Sequence, residues 1–197
     1  MKELKSVEER ILDRTLYLIG KQGSVNVSVR TIVKEADVNI GAINYYFGTK
    51  ENMLRQVKKF YMENLISIVV PLEDESLEDG EKLKRYAAMS MEYSMRFPGA
   101  IALVKDAFET KDQDEMSQKI VKETMLMEEK LNKVLKRYLK DVEDEFSIRK
   151  TIFLSSIIYP TLEFNELNGT AFLSEENQRM DYIDRVVKLI SQGVQRQ

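Results

Sequence analysis

The arrangement of apolar and polar residues indicates a chain built from helices. Apolar positions recur every three to five residues in successive stretches, and no stretch alternates strictly as a half-buried strand does. The first stretch follows Ser6, which has the form of a capping box with Glu9, and it ends at a pair of glycines. Ser28, Asn39 and Thr49 precede the next three stretches at N-cap positions. The pattern therefore predicts three short helices followed by a long one.

Five more helices are predicted beyond Pro71, which should end the fourth helix because proline lacks the amide that helical hydrogen bonding needs. The acidic residues 73–81 are interpreted as a solvated connection and helix start, since carboxylates favour the amino ends of helices. The five helices are predicted up to residue 96 and over residues 100–109, 113–140, 145 to about 167, and 175–192. The predicted fold class is therefore all-α.

Composition supports this class and removes much enzyme chemistry. The 197 residues are 43% hydrophobic and 32% charged, too apolar for a disordered chain and too charged for a membrane protein. The absence of cysteine and histidine excludes disulfides, thiolate zinc sites, iron–sulfur clusters and the commonest general base. Asp112, Asp114 and Glu115 lack the glycine-containing spacing of a calcium loop. We therefore expect no enzyme activity, no metal site and no cofactor.

Neither a membrane span nor a secretory signal is expected. The longest uncharged, largely apolar run covers residues 151–162 and contains a proline, whereas a helix needs about 20 residues to cross a bilayer. Residues 1–10 carry acidic side chains and no apolar core of a signal peptide. We therefore expect a cytoplasmic location.

Charge is distributed unevenly along the chain, although the net charge is only −3. Residues 1–64 contain 11 Lys and Arg against 8 Asp and Glu, whereas residues 65–197 contain 19 against 25. A basic excess in one region favours an anionic partner there. The first third of the chain is therefore the region in which we expect binding to a polyanion.

Two short predicted helices joined by a tight turn lie within this basic third. The first follows Ser28, and the second covers residues 40–47, after the turn residues Asp37 and Val38. This is the arrangement of a helix-turn-helix unit, whose second helix enters the major groove and reaches base edges with its first residues. The sequence over residues 28–54 is SVRTIVKEADVNIGAINYYFGTKENML.

These residues resemble the DNA-binding domain of TetR-family transcriptional regulators. The family pattern has Ala-Gly-Val at the turn, a glycine in the recognition helix, an aromatic pair ending in Phe, and then Ser/Thr-Lys-Glu-x-Leu. The positions that fit it are Ala36, Val38, Gly41, Tyr46, Phe47, Thr49, Lys50, Glu51 and Leu54. Two positions depart from it, because Asp37 stands at the usual turn glycine and Asn44 replaces a frequent tyrosine. Aspartate enters the left-handed backbone region more readily than most residues, so the turn should still form.

The resemblance implies a set of DNA contacts on one face of the unit. Arg30 would read a base edge, with guanine the natural partner of its guanidinium, while Ser28 and Lys50 would hold phosphates. Asn44 is able to pair with adenine. The full set implied to bind double-stranded DNA is Ser28, Arg30, Asn39, Ile40, Ala42, Asn44, Tyr45 and Lys50. The opposite face of the recognition helix is expected to be buried.

Methionine and aromatic side chains are concentrated in the fifth to seventh predicted helices. Adaptable methionines with aromatic walls suit a pocket for a small apolar or amphipathic effector, but the same residues also suit an ordinary helical core. Both interpretations stay open for each residue. The candidate ligand-binding residues are Tyr86, Met89, Tyr93, Phe97, Phe108 and Met127.

The last two predicted helices carry more apolar surface than packing within one chain requires. One helix-turn-helix unit contacts few base pairs, and the family reads pseudo-palindromes as dimers, so these helices are expected to form a homodimer interface. The candidate dimerisation residues are Ile152, Ser156, Tyr159, Tyr182, Val186 and Ile190. Pro160 is expected to bend the first of the two helices.

The sequence thus predicts an N-terminal three-helix helix-turn-helix DNA-binding domain in residues 1–60 and a C-terminal helical-bundle ligand-binding and dimerisation domain in residues 61–197. The resemblance implies a repressor that leaves a pseudo-palindromic operator when a small apolar or amphipathic effector binds. The alternative is a helical protein–protein adaptor without specific DNA binding, although an adaptor would not need a recognition helix.

Overall fold

The computed structural model describes residues 6–140, 143–162 and 173–192, and the regular elements within these ranges are helices. A short 3₁₀ turn at Glu143–Glu145 precedes the eighth of the α-helices. The helices are α1 (Val7–Gln22), α2 (Val29–Glu35), α3 (Gly41–Phe47), α4 (Lys50–Glu73), α5 (Asp79–Arg96), α6 (Ala100–Thr110), α7 (Glu115–Leu139), α8 (Phe146–Leu162) and α9 (Glu176–Ser191). The all-α prediction is confirmed.

Hydroxyl side chains begin three of the N-terminal helices, as the sequence predicts. Ser6 Oγ and Ser28 Oγ each accept a hydrogen bond from the amide three residues further on, both at 3.1 Å. Thr49 Oγ1 accepts an equivalent bond at 3.1 Å at the start of α4. Each bond satisfies an amide that the first turn of a helix leaves without a backbone partner, so these residues set where α1, α2 and α4 begin.

One compact unit of the structure comprises Met1–Ser67 and Arg96–Met125. The large side chains that are fully buried in this unit include Ile11, Leu16, Ile19, Ile32, Met53, Phe97, Leu103 and Ile120. The carboxylate of Asp13 is also buried in this unit. It accepts hydrogen bonds from Arg14 and from Arg96, both at 2.6 Å. Two cations therefore compensate the buried anion, and the contact with Arg96 joins α1 to the end of α5.

Two glycines bring the backbone of α1 against the start of α6 in the same unit. A Cβ atom on Gly20 would lie 1.9 Å from the amide nitrogen of Gly99, and a Cβ on Gly99 would lie 2.1 Å from the amide nitrogen of Gly20. Nonbonded heavy atoms do not approach so closely. Only glycine therefore fits at either position without displacement of backbone.

The second compact unit comprises Ile68–Met95 and Leu126–Gln197. The large apolar side chains that are fully buried in it include Leu83, Met91, Leu131, Phe153, Ile183 and Val187. Arg149 of α8 is buried as well, where it donates to the Ile190 carbonyl at 2.8 Å and pairs with Glu145 at 2.6 Å. The guanidinium thus joins α8 to the carboxyl end of α9, where a helix dipole favours a cation.

The compact units group α6 and the first part of α7 with the N-terminal helices. This grouping describes packing within each unit. The functional division of the chain at residue 60 stays a prediction.

The prediction that the fourth helix ends at Pro71 is wrong. The helix continues to Glu73 with Pro71 in its last turn. Proline has a backbone angle that a helix accepts, and so close to the end its missing amide removes one bond without disturbing a following turn. Pro160 lies within α8, and the bend expected there stays a prediction. Residues 163–172, part of which the sequence assigns to the same helix, lie outside the described residues.

Candidate DNA-binding surface

The helix α2 exposes its polar side in the first turn. The Ser28 hydroxyl that caps the helix also lies 2.7 Å from the Thr31 hydroxyl, which orients both groups at the helix start. Ser28 and Arg30 are exposed, whereas Ile32 on the other side of the helix is completely buried. Because the face of α2 that carries Ile32 is buried, Arg30 lies on the exposed face.

The turn between α2 and α3 contains a residue in the left-handed region, Asp37, with φ of 51°. Aspartate therefore forms the turn at the position where glycine is usual, as expected. Arg10 of α1 donates to the Asp37 carbonyl at 3.5 Å, and the Val38 amide closes the end of α2 with a 3.0 Å bond to a carbonyl of that helix. Asn39 Oδ1 accepts from the Gly41 amide at 2.9 Å, which holds the Asn39 side chain at the start of α3.

The recognition helix α3 has one buried and one exposed face. Ile43 and Phe47 are buried in the core of the unit. Ile40 and Asn44, which come four residues apart, are exposed, and Ala42 is half-buried. Residues four apart lie on the same side of a helix, so α3 offers an apolar group and an amide together.

Tyr45 extends further into solvent than the other large apolar side chains of the described residues, with 81% of its surface exposed. The Tyr46 ring meets it edge-on, with ring centroids 4.9 Å apart. A ring in this position contributes little to the core of its own unit. It offers a partner both stacking area and a hydroxyl group.

The first turn of α4 completes the surface. Lys50 Nζ donates to Asn26 Oδ1 at 3.2 Å, and this bond holds the ammonium near the residues that precede α2. Asn52 Nδ2 donates to the Phe47 carbonyl at 2.8 Å and so attaches α4 to the end of α3. Sequence reasoning missed Asn26 and Asn52, because a single side-chain amide that bridges two elements leaves no periodic pattern.

The eight predicted DNA contacts thus come from α2, α3, the turn between them and the first turn of α4. Six of the eight are exposed, and Ala42 and Lys50 are half-buried. The set combines two cations, neutral hydrogen-bonding groups and apolar side chains, a mixture that suits phosphates, base edges and thymine methyl groups. The DNA contacts themselves stay predictions.

Among residues 6–140, 143–162 and 173–192, no group of three histidine, cysteine or carboxylate side chains is placed to hold a metal ion. None of the helices within those ranges combines the length and the apolar character that crossing a membrane requires.

The predicted ligand-binding residues are divided between the two units. Those in the second unit are Tyr86, Met89, Tyr93 and Met127, and those in the first are Phe97 and Phe108. Tyr86 is buried, stacks on Phe153 with ring centroids 6.4 Å apart, and hydrogen-bonds Ser90. Burial raises the pKa of Tyr86 to about 12, so the phenol is neutral at physiological pH. Phe108, in contrast, is exposed on α6.

The predicted dimerisation residues of α8 and α9 differ in exposure. Ile152 and Tyr159 of α8 are exposed. Tyr182 of α9 is half-buried, and its hydroxyl donates to the Ser156 carbonyl at 2.7 Å, which joins the two helices within one chain. The hydroxyl of Tyr182 therefore has a role inside the subunit.

Val186 and Ile190 are buried in the core of their own unit, because α9 turns this side towards the rest of the chain. They have little surface left for a second subunit. The large apolar residues that stay exposed on α8 and α9 are Ile148, Ile152, Tyr159, Met180 and Leu189. These residues are the large exposed apolar side chains that α8 and α9 offer to a partner.

This geometry is that of a helix-turn-helix DNA-binding domain, with α3 as recognition helix. Residues 11–57 match the family described as "Bacterial regulatory proteins, tetR family". Residues 11–57 therefore resemble the N-terminal domain of this family.

Two curated relatives match over part of the chain. It is 37% identical over 57 residues, 28% of each chain, to the "Probable HTH-type transcriptional regulator YttP" of Bacillus subtilis (strain 168). It is 27% identical over 92 residues to the "HTH-type transcriptional regulator BetI" of Agrobacterium fabrum. This match covers 47% of this chain and 45% of the relative. The chain thus matches less than half the length of either relative.

Solved structures resemble the chain over nearly its whole length. The TetR family transcriptional regulator PfmR from Thermus thermophilus superimposes with a TM-score of 0.68 at 18% identity, covering 98% of this chain and all of that one. A TetR-like regulator from Rhodococcus sp. RHA1 gives 0.62 at 13% identity, covering 94% and 97%. At such identities the likeness establishes the fold, and the predicted architecture of a helix-turn-helix domain followed by a helical bundle is confirmed.

Proposed function

We propose that the protein is a transcriptional repressor that binds a pseudo-palindromic DNA operator as a homodimer and is released by a small apolar or amphipathic effector. The observation that carries this proposal is the exposed face of α2, α3 and the first turn of α4. In this proposal residues 1–60 read DNA, and residues 61–197 bind the effector and dimerise. The protein acts in the cytoplasm, where its operator is.

The proposed contacts follow from the chemistry of the exposed side chains. Arg30 reads a guanine with its guanidinium, and Asn44 pairs with an adenine, since these pairs present matching donors and acceptors in the major groove. Ile40 contacts a thymine methyl group. Lys50 and the amino end of α4 hold a phosphate, where the ammonium and the helix dipole both favour an anion.

The experiment that tests this proposal is selection of duplexes from a randomised DNA library by the purified protein. The proposal predicts enrichment of a pseudo-palindromic motif, and the most enriched sequence is named the selected duplex. A helical adaptor without specific DNA binding predicts no enriched motif. Sequencing after successive rounds therefore separates the two functions.

The proposed dimer uses the exposed apolar residues of α8 and α9. Ile152→Glu should convert a dimer of twice 23.0 kDa into a monomer, because a carboxylate would be desolvated at the centre of the interface. Light scattering at micromolar concentration measures this mass directly. Ile101→Glu is the matched control, since Ile101 on α6 is 52% exposed and Ile152 is 49% exposed. A monomeric wild type that binds the selected duplex normally would refute the dimer.

The proposed effector site lies in the second unit, around the neutral, buried phenol of Tyr86. An aromatic wall with a single polar handle suits an amphipathic molecule better than a charged one. We expect such a molecule to co-purify with the protein, where mass spectrometry would detect it. Added effector should weaken binding to the selected duplex and raise the melting temperature, as a ligand that prefers one state does.

A further inference from the structure

A lysine of α4 is half-buried and has three acceptors. The Lys58 side chain is only 12% exposed. Its Nζ atom lies 3.0 Å from Asp106 Oδ2, 2.8 Å from Asp114 Oδ2 and 2.7 Å from Ser117 Oγ. An ammonium has three hydrogens to donate, so each hydrogen of Lys58 has an acceptor in this arrangement.

The acceptors come from two different helices of the same compact unit. Asp106 belongs to α6, while Asp114 caps α7 by accepting from the amide of Ser117 at 3.3 Å. Ser117 is completely buried, and its hydroxyl lies 2.8 Å from the hydroxyl of Thr110 at the end of α6. We call these five residues, Lys58, Asp106, Thr110, Asp114 and Ser117, the Lys58 cluster. It joins α4, α6 and α7.

The Lys58 cluster is charged under physiological conditions. Burial alone would raise the pKa of Asp114, but the hydrogen bonds from Lys58 and Ser117 outweigh it and lower that pKa to about 2. Removing charges from water is costly, and a well-packed apolar group would serve stability at least as well. What these hydrogen bonds add is a restraint on the helices, because the acceptors on α6 and α7 must both stay within reach of one ammonium on α4.

The helix that Lys58 holds is the one that continues from the recognition helix. Asn52 attaches the first turn of α4 to the end of α3 through its 2.8 Å bond to the Phe47 carbonyl. Lys50, in the same turn, belongs to the predicted phosphate contacts. Lys58 follows eight residues after Lys50, about 12 Å along the helix at 1.5 Å per residue. The direction of α4 is therefore constrained at both ends of this segment.

We infer that Lys58 is a positioning residue for DNA reading: by binding Asp106, Asp114 and Ser117 it holds α4 in the orientation in which the α3 surface fits the operator. The inference rests on the proposed function. It assigns Lys58 no contact with DNA. Its effect is on the placement of the residues that make contacts, since a shift of about 1 Å is enough to misalign hydrogen bonds to base edges.

The test compares Lys58→Met with Lys59→Met. Both variants remove one positive charge from α4, but Lys59 is 58% exposed, and its Nζ atom lies 3.9 Å from Glu63 on the same helix. The measurements are the dissociation constants for the selected duplex and for a scrambled duplex of the same composition, with the melting temperature alongside. Lys58→Met should weaken binding to the selected duplex about 10-fold more than Lys59→Met does, a typical size for coupling between sites. The two variants should bind the scrambled duplex equally.

A second variant keeps the test decisive if Lys58→Met does not fold, as circular dichroism would show. Asp106→Asn retains the shape of the side chain but removes the carboxylate that pairs with Lys58, so it should lower the preference for the selected duplex. It removes no positive charge, so binding to the scrambled duplex should not weaken. If both duplexes bind normally while the melting temperature falls, the Lys58 cluster only stabilises the unit and the inference is wrong. If the wild type itself shows no preference between the duplexes, the proposed function fails instead.

Discussion

Arg30→Ala is expected to weaken binding to the selected duplex by about 1–3 kcal/mol, the cost of losing a bidentate contact to a base pair. The preference for one base pair should be lost at the same time, because alanine cannot distinguish the edges of the four pairs. Arg30 is exposed in the first turn of α2, so its removal leaves no hole in the core. Competition titrations against duplexes that carry single base-pair changes measure both effects.

Lys50→Ala provides the contrasting variant. Lys50 is proposed to hold a phosphate, so its loss should weaken binding to selected and scrambled duplexes alike and reduce the salt dependence of binding. Wild-type affinity and wild-type selectivity in both variants would show that the contact assignment is wrong.

Gly99→Ala is expected to reduce stability strongly, by about 2 kcal/mol or more, because overpacking forces the backbone to move. The new Cβ would stand 2.1 Å from the amide nitrogen and 2.4 Å from the Cα atom of Gly20, and neither backbone atom can rotate away. The same clash appears from the other side, so Gly20→Ala should have a similar effect. Thermal unfolding at fixed protein concentration measures the change, with a lower midpoint expected for both variants.

Gly41→Ala is the matched control for these two variants. A Cβ atom at Gly41 would lie 3.5 Å from the Asn39 Oδ1 atom, which is an ordinary contact. Its melting temperature should therefore stay close to that of the wild type. Equal stability of Gly99→Ala and Gly41→Ala would contradict the backbone contact between α1 and α6.

Local chemistry explains why much of the fold is predictable from the sequence. Ser6, Ser28 and Thr49 begin helices because their own hydroxyls satisfy nearby amides, and no distant part of the chain is needed for this. Asp37 likewise reaches the left-handed region through an intrinsic tolerance of the residue type. The helical periodicity of α3, which is also local, places Ile43 on the buried face and Asn44 on the exposed face.

The features that the sequence does not reveal depend on where the folded chain places a residue. Pro71 has the same local chemistry wherever it stands, and only its place in the last turn of α4 makes it harmless. The need for glycine at Gly20 arises from Gly99, which is far away in the chain. The apolar pattern of α9 could not show that Val186 packs inside the subunit, because periodicity gives a face but no partner.

The central claim is that the exposed face of α2, α3 and the start of α4 reads a DNA sequence. The most direct measurement is the ratio of the dissociation constants for the scrambled and the selected duplex at physiological salt. Specific regulators bind their operators at least about 10³-fold more tightly than other DNA, and this account predicts a ratio of that size. Equal dissociation constants for the two duplexes, with the protein folded, would contradict it.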